Sequence, residues 1–376
     1  MSQTNKPDKI IVFPSGMPES VTFYQNNSDN FLIGASAIKD DPVNDIFDQW
    51  EFIPYVDTPE FDKSLLSLIE KTKPNAIFCP HRFALYYVNK LINEHKLSVE
   101  VIGVENDKLQ QLRHSQSEQW LNEYHKIADS LDVDDSRRLN KTDINAVVRH
   151  ALSIPGETGV EKIISLLAMG SSIPEGDVVE IGCLYGRTSF VFAWLARRYA
   201  TGSTLCVDPW TTEAAIHQDT SSMARDAIRE NYEYDSIFQQ FKENLVPSFY
   251  RAVNYIRETS NEAALVYKTS NEITTPEFGN SRYTQSIACL HIDGNHDYAA
   301  VLDDVIQWAH LLQDKGWLIV DDYNWPFGEG PKLVANEILA TNSANIEHSF
   351  VAGDALFIKF ENKIDSSQLF RNEQAS

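Results

Sequence analysis

The sequence predicts two α/β domains, each built on a parallel sheet with helices on both faces. Length, composition and the spacing of apolar runs lead to this prediction. A chain of 376 residues exceeds the usual size of one domain. Its 43% apolar and 23% charged residues are the composition of a packed globular protein. Short apolar runs alternate with helical patterns, as strands and helices do around a parallel sheet.

The first domain, residues 1–105, is predicted from five apolar runs separated by helical segments. The predicted strands are Lys9–Pro14, Phe31–Ala35, Glu51–Pro54, Ala76–Cys79 and Val99–Val104. The predicted helices are Phe61–Lys71 and Phe83–Glu94. We expect a small Rossmann-like unit from this alternation. Its first turn, residues 15–20, has one glycine and lacks the GxGxxG fingerprint of a dinucleotide site.

Four segments of this domain are similar to the small domain that precedes ATP-grasp modules. They read FPSGMPES, IGAS, FIPYVDTPEF and KPNAIFCPHR. No ATP-grasp module follows in this sequence, so the resemblance implies a pre-ATP-grasp-like shape and no activity. We expect an auxiliary domain for assembly or acceptor recognition.

A helical connector is predicted over residues 106–155. Its first part, to Leu131, is charged and has apolar residues spaced near 3.6, which fits a linking or dimerising helix in a homo-oligomer. Further helices are predicted over Asp143–Leu152 and Gly159–Met169. The second domain is expected over residues 156–362, followed by a flexible tail over residues 363–376.

The bulk charge and the cysteines limit the classes of partner. With 32 basic and 54 acidic side chains, the net charge of -22 repels phosphates, so we expect no nucleic acid partner. Four isolated cysteines within apolar segments are expected to be buried hydrophobes. The N-terminus lacks the apolar core of a signal peptide and no run is long enough to span a membrane, so we expect a cytoplasmic protein.

The second domain opens with a pattern that indicates a nucleoside site. A buried strand, DVVEIG, ends with Glu180 and Gly182, and Gly186 follows four residues later before an apolar helix. The next strand ends at Asp208, where a carboxylate can accept ribose hydroxyls. A structural glycine turn is the simpler interpretation, and a nicotinamide cofactor is the rival ligand. The GxxxG spacing lacks the third glycine that nicotinamide enzymes use.

Three carboxylates follow the next pair of buried strands. The run SIACLHI ends at Asp293, and WLIV ends at Asp321 and Asp322. Because adjacent parallel strands present their carboxyl ends at one edge, these side chains are expected to converge. Oxygen-only ligation suits Mg²⁺, with Mn²⁺ or Ca²⁺ as alternatives. Asp293, Asp321 and Asp322 are therefore the predicted metal ligands, and hydride transfer has no use for such a cluster.

His296 lies on the turn that leaves the strand of Asp293. An imidazole with an ordinary pKa near 6.5 suits a general base, and its place beside the predicted metal favours that role. Asp297 or Tyr298 could contribute instead. A structural or surface histidine is the alternative interpretation.

Together these motifs resemble a known family. EIGCLYGRTS, VDPW, VNYIRETSNEAA, LHIDGNHDYAAVLDDVIQWAHLL and KGWLIVDDY are similar to the class I methyltransferases that include the macrocin, mycinamicin and novobiocin sugar O-methyltransferases. The resemblance covers about residues 174–359. It implies a seven-stranded sheet and a sugar or glycosylated small-molecule acceptor. It implies S-adenosylmethionine bound by Glu180, Gly182, Tyr185, Gly186, Asp208 and Ser260. Metal ligation by the three aspartates and catalysis by His296 with Asp293 follow from it as well, and Asp304 matches an acidic position of the family.

Two loops are predicted to cover the pocket, residues 210–222 and 274–285, because methyl transfer proceeds best away from water. Residues 324–331, with Trp325, Pro326 and Phe327, are a candidate apolar wall for the acceptor. A metal-independent methyltransferase is the nearest alternative function. A scaffold protein that retains an inactive fold is the other.

Overall fold

The computed structural model describes residues 8–103, 106–215, 233–249, 251–324, 326 and 328–364, with the backbone alone described over residues 106–113. The chain divides into two compact units, Met1–Ser115 and Gln116–Ser376, which we call unit 1 and unit 2. Both contain a sheet with helices, so the predicted α/β class is confirmed. Within the described ranges, no helix is long and apolar enough to cross a membrane.

Unit 1 is a five-stranded parallel sheet in the order β3-β2-β1-β4-β5. Its strands are β1 (Lys9–Val12), β2 (Phe31–Ser36), β3 (Gln49–Phe52), β4 (Ala76–Cys79) and β5 (Glu100–Gly103). Its helices are α1 (Pro18–Asn26), α2 (Phe61–Thr72) and α3 (Arg82–Glu94). Apolar side chains on both faces of the sheet are buried under these helices. This is the doubly wound arrangement that the alternating pattern predicts.

Helix α4 spans Asn106–Ser130, and from Gln116 onward it belongs to unit 2. Trp120, Tyr124 and Ala128 on this helix are buried in the main core of that unit. The Tyr124 hydroxyl also accepts a hydrogen bond of 2.8 Å from the backbone N–H of Leu139. Residues 116–155, predicted as a connector, therefore pack as part of the second unit.

Unit 2 contains a seven-stranded sheet in the order β13-β14-β12-β11-β6-β7-β8. Its strands are β6 (Asp177–Ile181), β7 (Thr204–Val207), β8 (Val253–Ile256), β11 (Ile287–Ile292), β12 (Leu312–Val320), β13 (Ile346–Ala352) and β14 (Ala355–Phe360). The first five of these run parallel, and β14 is antiparallel to β12 and β13. A separate hairpin consists of β9 (Glu272–Thr275) and β10 (Gly279–Arg282). The predicted seven-stranded sheet is confirmed.

Helices cover both faces of this sheet. They are α5 (Lys141–Ser153), α6 (Val160–Gly170), α7 (Arg187–Tyr199), α8 (Thr212–Ala215), α9 (Tyr234–Phe249), α10 (Ser260–Thr269), α11 (Tyr298–Trp308) and α12 (Gly330–Thr341). Strand side chains alternate between the faces, so Val178 and Val179 enter different apolar clusters. All four cysteines are buried and unbridged, as predicted.

Candidate functional site

The predicted site residues lie at the carboxyl ends of the central strands of unit 2. The parallel register pairs Ile181 with Ile292, and Ile292 with Val320. Gly182, Asp293 and Asp321 follow these three residues directly. The sheet therefore brings the glycine turn and two of the predicted metal ligands to one edge, as expected from strand order.

The glycine turn is shaped by two left-handed backbone positions. Gly182 has φ +83° and Gly186 has φ +85°, a region that L side chains rarely adopt. A Cβ atom on Gly182 would lie 1.8 Å from the carbonyl oxygen of Asp293. Gly186 is the N-cap of helix α7, so the backbone N–H groups that begin this helix follow the turn. The half-buried Tyr185 accepts a 2.9 Å hydrogen bond from the Asn244 side chain at its carbonyl.

Asp208 holds the glycine turn from the end of β7. Its Oδ2 accepts the backbone N–H groups of Cys183 at 2.9 Å and Leu184 at 3.0 Å, and its Oδ1 accepts that of Trp210 at 2.6 Å. Burial raises the pKa of Asp208, and these three hydrogen bonds oppose the shift. The residue predicted to accept ribose hydroxyls is thus also the anchor of the turn.

Glu180 lies beneath the turn and is 1% exposed. The Ser189 hydroxyl donates to its Oε2, and its Oε1 is 3.1 Å from Nδ1 of the fully buried His291. Burial raises the pKa of Glu180 to about 8. This predicted cofactor residue therefore joins helix α7 and strand β11 in the interior.

Ser260, the other predicted cofactor residue, begins helix α10 after a capping box between Thr259 and Glu262. Its Oγ accepts a 2.9 Å hydrogen bond from Nε1 of Trp308 and also bonds the buried Asp304. Burial raises the pKa of Asp304 to about 7. A Cβ atom on Gly294 would lie 3.4 Å from Oδ2 of Asp304, so this group borders the loop after β11.

A buried lysine faces the predicted metal ligands. The ammonium group of Lys162, on helix α6, forms an ion pair with Oδ2 of Asp321 and lies 3.8 Å from Oδ2 of Asp293. Nε2 of His291 also lies 3.5 Å from Oδ2 of Asp321. Burial lowers the pKa of Lys162, and the charge of Asp293 only partly offsets this shift. Asp321 therefore has a cation supplied by the protein.

Asp322 faces a different partner. It has φ +54°, and its Oδ2 is 2.8 Å from Nε2 of His296. Burial alone lowers the pKa of His296, but the hydrogen bond and charge of Asp322, with the charge of Asp293, outweigh it, so the pKa is raised. Burial also raises the pKa of Asp293. The histidine predicted as a base is thus paired with one of the predicted metal ligands.

Two groups of possible metal-binding side chains at this strand edge share Asp293. In one, donor atoms of His291, Asp293 and Asp321 lie within 4.8 Å of one another; in the other, those of Asp293, His296 and Asp322 do. Asp321 and Asp322 are neighbours in sequence but belong to different groups. The sequence interpretation did not include Lys162 or His291. The available signal was a lysine in the apolar helix VEKIISLLAMG and a histidine in the apolar strand IACLHI.

Residues 154–158 are bonded to the helix that follows the glycine turn, which the sequence interpretation also missed. Arg187 Nε donates to the carbonyl of Ile154 at 2.8 Å, and its Nη1 donates to that of Thr158 at 2.9 Å. The hydroxyls of Thr158 and Thr188 are 2.7 Å apart. This segment is therefore fastened to the first turn of α7, beside the glycine turn.

The lid prediction for residues 274–285 is wrong. These residues contain the β9–β10 hairpin, in which the carbonyl of Phe278 accepts from the N–H of Arg251, just before β8. The N–H groups of Thr284 and Gln285 bond to Asp177 at the start of β6. The segment is thus anchored at the amino ends of the strands, opposite the site, because it leads into β11.

The other predicted coverings are only partly described. Trp210 is 1% exposed, and its Nε1 donates to the carbonyl of Leu184 at 2.8 Å, so it packs under the turn. Residues 216–222 of this predicted lid lie outside the described residues, as do Trp325 and Phe327 of the predicted acceptor wall. Pro326 is exposed.

Comparison with known proteins identifies one domain. Residues 179–323 match a family model described as a methyltransferase domain. No curated protein matches the sequence. Solved structures with a related fold include the O-methyltransferase NovP, at 16% identity over 55% of this chain and 84% of that chain, with a TM-score of 0.40.

Two further solved structures are similar at the same low level. A putative caffeoyl-CoA O-methyltransferase from Staphylococcus aureus is 13% identical over 64% of this chain and all of its own, with a TM-score of 0.37. MycE of the mycinamycin biosynthetic pathway, in complex with Mg and SAH, is 14% identical over 52% of this chain and 48% of its own, with a TM-score of 0.31. At these values none of the three assigns a function to this chain.

Proposed function

Because this chain is a methyltransferase, with the matching domain at residues 179–323, we propose that it moves the methyl group of S-adenosylmethionine to a hydroxyl oxygen. The observation that supports O-methyl transfer most directly is the pairing of His296 with Asp322 at the strand edge beside the glycine turn. A sugar or glycosylated natural product is the proposed acceptor. That part rests on the resemblance of IDGNHDY and DDY to the sugar O-methyltransferases.

The proposed cofactor site follows the turn from Gly182 to Gly186. Asp208 would accept a ribose hydroxyl, since a carboxylate has about four lone-pair sites and the three backbone N–H groups leave one of them. Tyr185 and Ser260 would border the adenosyl group. Glu180 would support the turn from the protein interior, because its buried carboxylate accepts a hydrogen bond from Ser189 on helix α7.

His296 is the proposed general base. Asp322 accepts a hydrogen bond from Nε2 of His296, which selects one tautomer and stabilises the imidazolium that forms. The other imidazole nitrogen would take the proton of the acceptor hydroxyl. The oxygen forms a bond to the methyl carbon while the carbon–sulfur bond breaks. The electron pair of that bond stays on sulfur, which leaves S-adenosylhomocysteine.

A divalent cation is compatible with the donors at this edge. Asp293 and Asp322 place carboxylate oxygens within 4.8 Å of each other and of an imidazole nitrogen, and oxygen-rich donors suit Mg²⁺ or Mn²⁺. When bound, the ion would lower the pKa of the acceptor hydroxyl. Of the three predicted ligands, Asp293 and Asp322 share this group with His296, whereas Asp321 lies in the group of Asp293 and His291 and is paired with Lys162.

A metal-independent methyltransferase is the second candidate, and a specific observation favours it. Lys162 already pairs with Asp321, and Nε2 of His296 already lies at hydrogen-bond distance from Asp322. Three converging carboxylates are thus partly compensated without an ion. The two candidates differ in what a chelator does.

The test combines binding with turnover. S-adenosylmethionine binding is measured by calorimetry, and the purified chain is then given methyl-labelled cofactor with sugar nucleotides and glycosides, with Mg²⁺ or with a chelator. We expect the chain to bind the cofactor and, with Mg²⁺, to transfer the label to a hydroxyl-bearing acceptor. We expect no transfer when the chelator is present. Label that survives the chelator favours the metal-independent candidate. Failure to bind the cofactor would favour the scaffold interpretation and overturn the proposal.

Unit 1 is proposed as an auxiliary domain for acceptor recognition or assembly, as its lack of a glycine-rich phosphate loop suggests. Removing it is not a clean test, since the boundary falls within helix α4. Substitution of exposed aromatic residues on α3, Phe83 and Tyr86, is the milder probe. Weaker acceptor binding with unchanged cofactor binding is the expected result.

A further inference from the structure

Lys162 is held in place by its surroundings. It is the third residue of helix α6, in which every residue from Lys162 to Gly170 is buried, and it is 1% exposed. The turn between β13 and β14 closes over it, since a Cβ atom on Gly353 would lie 2.8 Å from the backbone nitrogen of Lys162. Lys162 is therefore enclosed by the protein.

The groups around the ammonium explain why a lysine is tolerated there. Burying an unpaired ammonium is very costly, and a carboxylate in direct contact offsets much of that cost. Asp321 provides the contact, and Asp293 is the next carboxylate at 3.8 Å. His291 lies on another side of Asp321, 3.5 Å from the same oxygen, and its Nδ1 continues to Glu180. Oδ1 of Asp321 accepts the N–H of Asp322 at 3.0 Å. Both oxygens of Asp321 are thus used inside the protein.

We propose that Lys162 is a built-in counter-ion that keeps Asp321 out of the coordination of the divalent ion, leaving Asp293 and Asp322 as its carboxylate ligands. Lys162 is then a positioning residue. It fixes Asp321 and, through the shared strand edge, the direction in which Asp293 points. This inference rests on the proposed function and concerns the cation of the same site.

The inference separates two aspartates that are adjacent in sequence. Asp322→Asn removes a proposed ligand, and losses of about 10 to 100-fold in metal affinity follow even from changes next to a ligand. Asp321→Asn removes the partner of Lys162 and leaves its ammonium group nearest to Asp293, at 3.8 Å, so metal affinity is expected to fall until the lysine charge is removed as well. Lys162→Met removes the positive charge and frees Asp321, so the site gains a carboxylate and metal affinity rises.

The experiment is a Mn²⁺ titration of the full chain without cofactor, in which the electron paramagnetic resonance signal measures the free Mn²⁺. The expected order of affinity is Lys162→Met above wild type, Asp321→Asn below wild type, and Asp322→Asn weakest. The double variant with both Lys162→Met and Asp321→Asn should return toward wild type. Lys359→Met is the matched control, because Lys359 is a buried lysine paired with Glu347 on another part of the sheet.

Several results would overturn the inference. Metal affinity in the double variant as low as in Asp322→Asn would make Asp321 a ligand, and this comparison does not need the single Lys162→Met variant to fold. Lower affinity in a folded Lys162→Met would also overturn it. Absence of Mn²⁺ binding by the wild type contradicts both this inference and the proposed cation. Binding in the expected order without methyl transfer to any acceptor contradicts the proposed function alone.

Thermal unfolding without metal is an independent readout of the Lys162–Asp321 pair. Lys162→Met leaves a buried carboxylate without its cation, so the midpoint is expected to fall. Adding Asp321→Asn removes that unpaired charge and should recover part of the loss. Lys162→Arg keeps the charge, so its unfolding midpoint should fall less than that of Lys162→Met. Equal midpoints for wild type and Lys162→Met would contradict a counter-ion role.

Discussion

Nε2 of His296 lies 2.8 Å from Oδ2 of Asp322, although the two residues follow different strands of the sheet. The loop after β11 carries the histidine and the turn after β12 carries the aspartate. Helix α12 supports this pair, since a Cβ atom on Gly330 would lie 2.1 Å from the carbonyl oxygen of His296. The pair is therefore set by the packing of three elements.

Replacing His296 tests the proposed base. His296→Ala is expected to lower turnover about 100 to 10,000-fold, the usual contribution of general-base catalysis. Cofactor binding should be nearly unchanged, because the proposed partners of His296 are Asp322 and the acceptor hydroxyl. Labelled methyl transfer and calorimetry measure the two quantities. His310→Ala is the control, since His310 bonds to the carbonyl of Ile306 four residues earlier in the chain and is not a proposed site residue. Unaltered turnover in His296→Ala removes this residue from the mechanism.

A methyl group at Gly182 tests the close approach of the two strand ends. Gly182→Ala places Cβ 1.8 Å from the Asp293 carbonyl oxygen and requires φ +83°, so the ends of β6 and β11 must separate. We expect loss of stability in urea unfolding and loss of cofactor binding. Gly159→Ala is the matched control, because a Cβ atom there meets nothing within 4 Å. A Gly182→Ala protein as stable as that control would show that the strand ends do not meet as described.

Asp208→Asn tests the anchor of the glycine turn. Three backbone N–H groups point at its two carboxylate oxygens, so either orientation of an amide sets its NH₂ group against at least one N–H donor. Hydrogen bonds to a charged group contribute about 1.5–3 kcal/mol each, so we expect lower stability and weaker cofactor binding. Asp57→Asn, at an exposed position of unit 1, should change neither. Normal cofactor affinity in Asp208→Asn would contradict the proposed cofactor site.

Substitutions of Glu180 distinguish a supporting role of this residue from direct contact with the cofactor. Glu180→Leu leaves the Ser189 hydroxyl and His291 without their carboxylate, a loss of about 1–3 kcal/mol of stability for each unsatisfied buried group. Glu180→Gln keeps the shape and one acceptor oxygen, so it should lose less and still bind the cofactor. Urea unfolding measures the stability of each variant, and calorimetry measures its cofactor binding. Lost cofactor binding at full stability in Glu180→Gln would instead place the carboxylate against the cofactor.

Much of this arrangement could be predicted from local sequence. Asp293 and Asp321 follow apolar runs that are recognisable as buried strands, and parallel strands place their carboxyl ends at one edge. The first-unit strands were predicted within three residues at each end for the same reason, because apolar runs and their flanking polar residues are local signals. Gly182 and Gly186 were likewise recognisable by their spacing.

The partners of these residues could not be predicted, because they depend on packing between distant segments. Lys162 is 159 residues from Asp321 in the chain, and its helix has the pattern of any buried amphipathic or apolar helix. The division of Asp321 from Asp322 depends on φ +54° at Asp322, which no residue spacing indicates. The lid prediction for residues 274–285 failed because a segment that enters a parallel strand lies at its amino end, opposite the site.

The most direct test is a crystal grown with S-adenosylhomocysteine and Mn²⁺ and measured at the manganese absorption edge. We predict an anomalous peak between the carboxylates of Asp293 and Asp322, with the nucleoside along the turn from Gly182 to Gly186 and its ribose at Asp208. An occupied nucleoside site without a peak in saturating Mn²⁺ would contradict the cation. A nucleoside bound away from this turn would contradict the account as a whole.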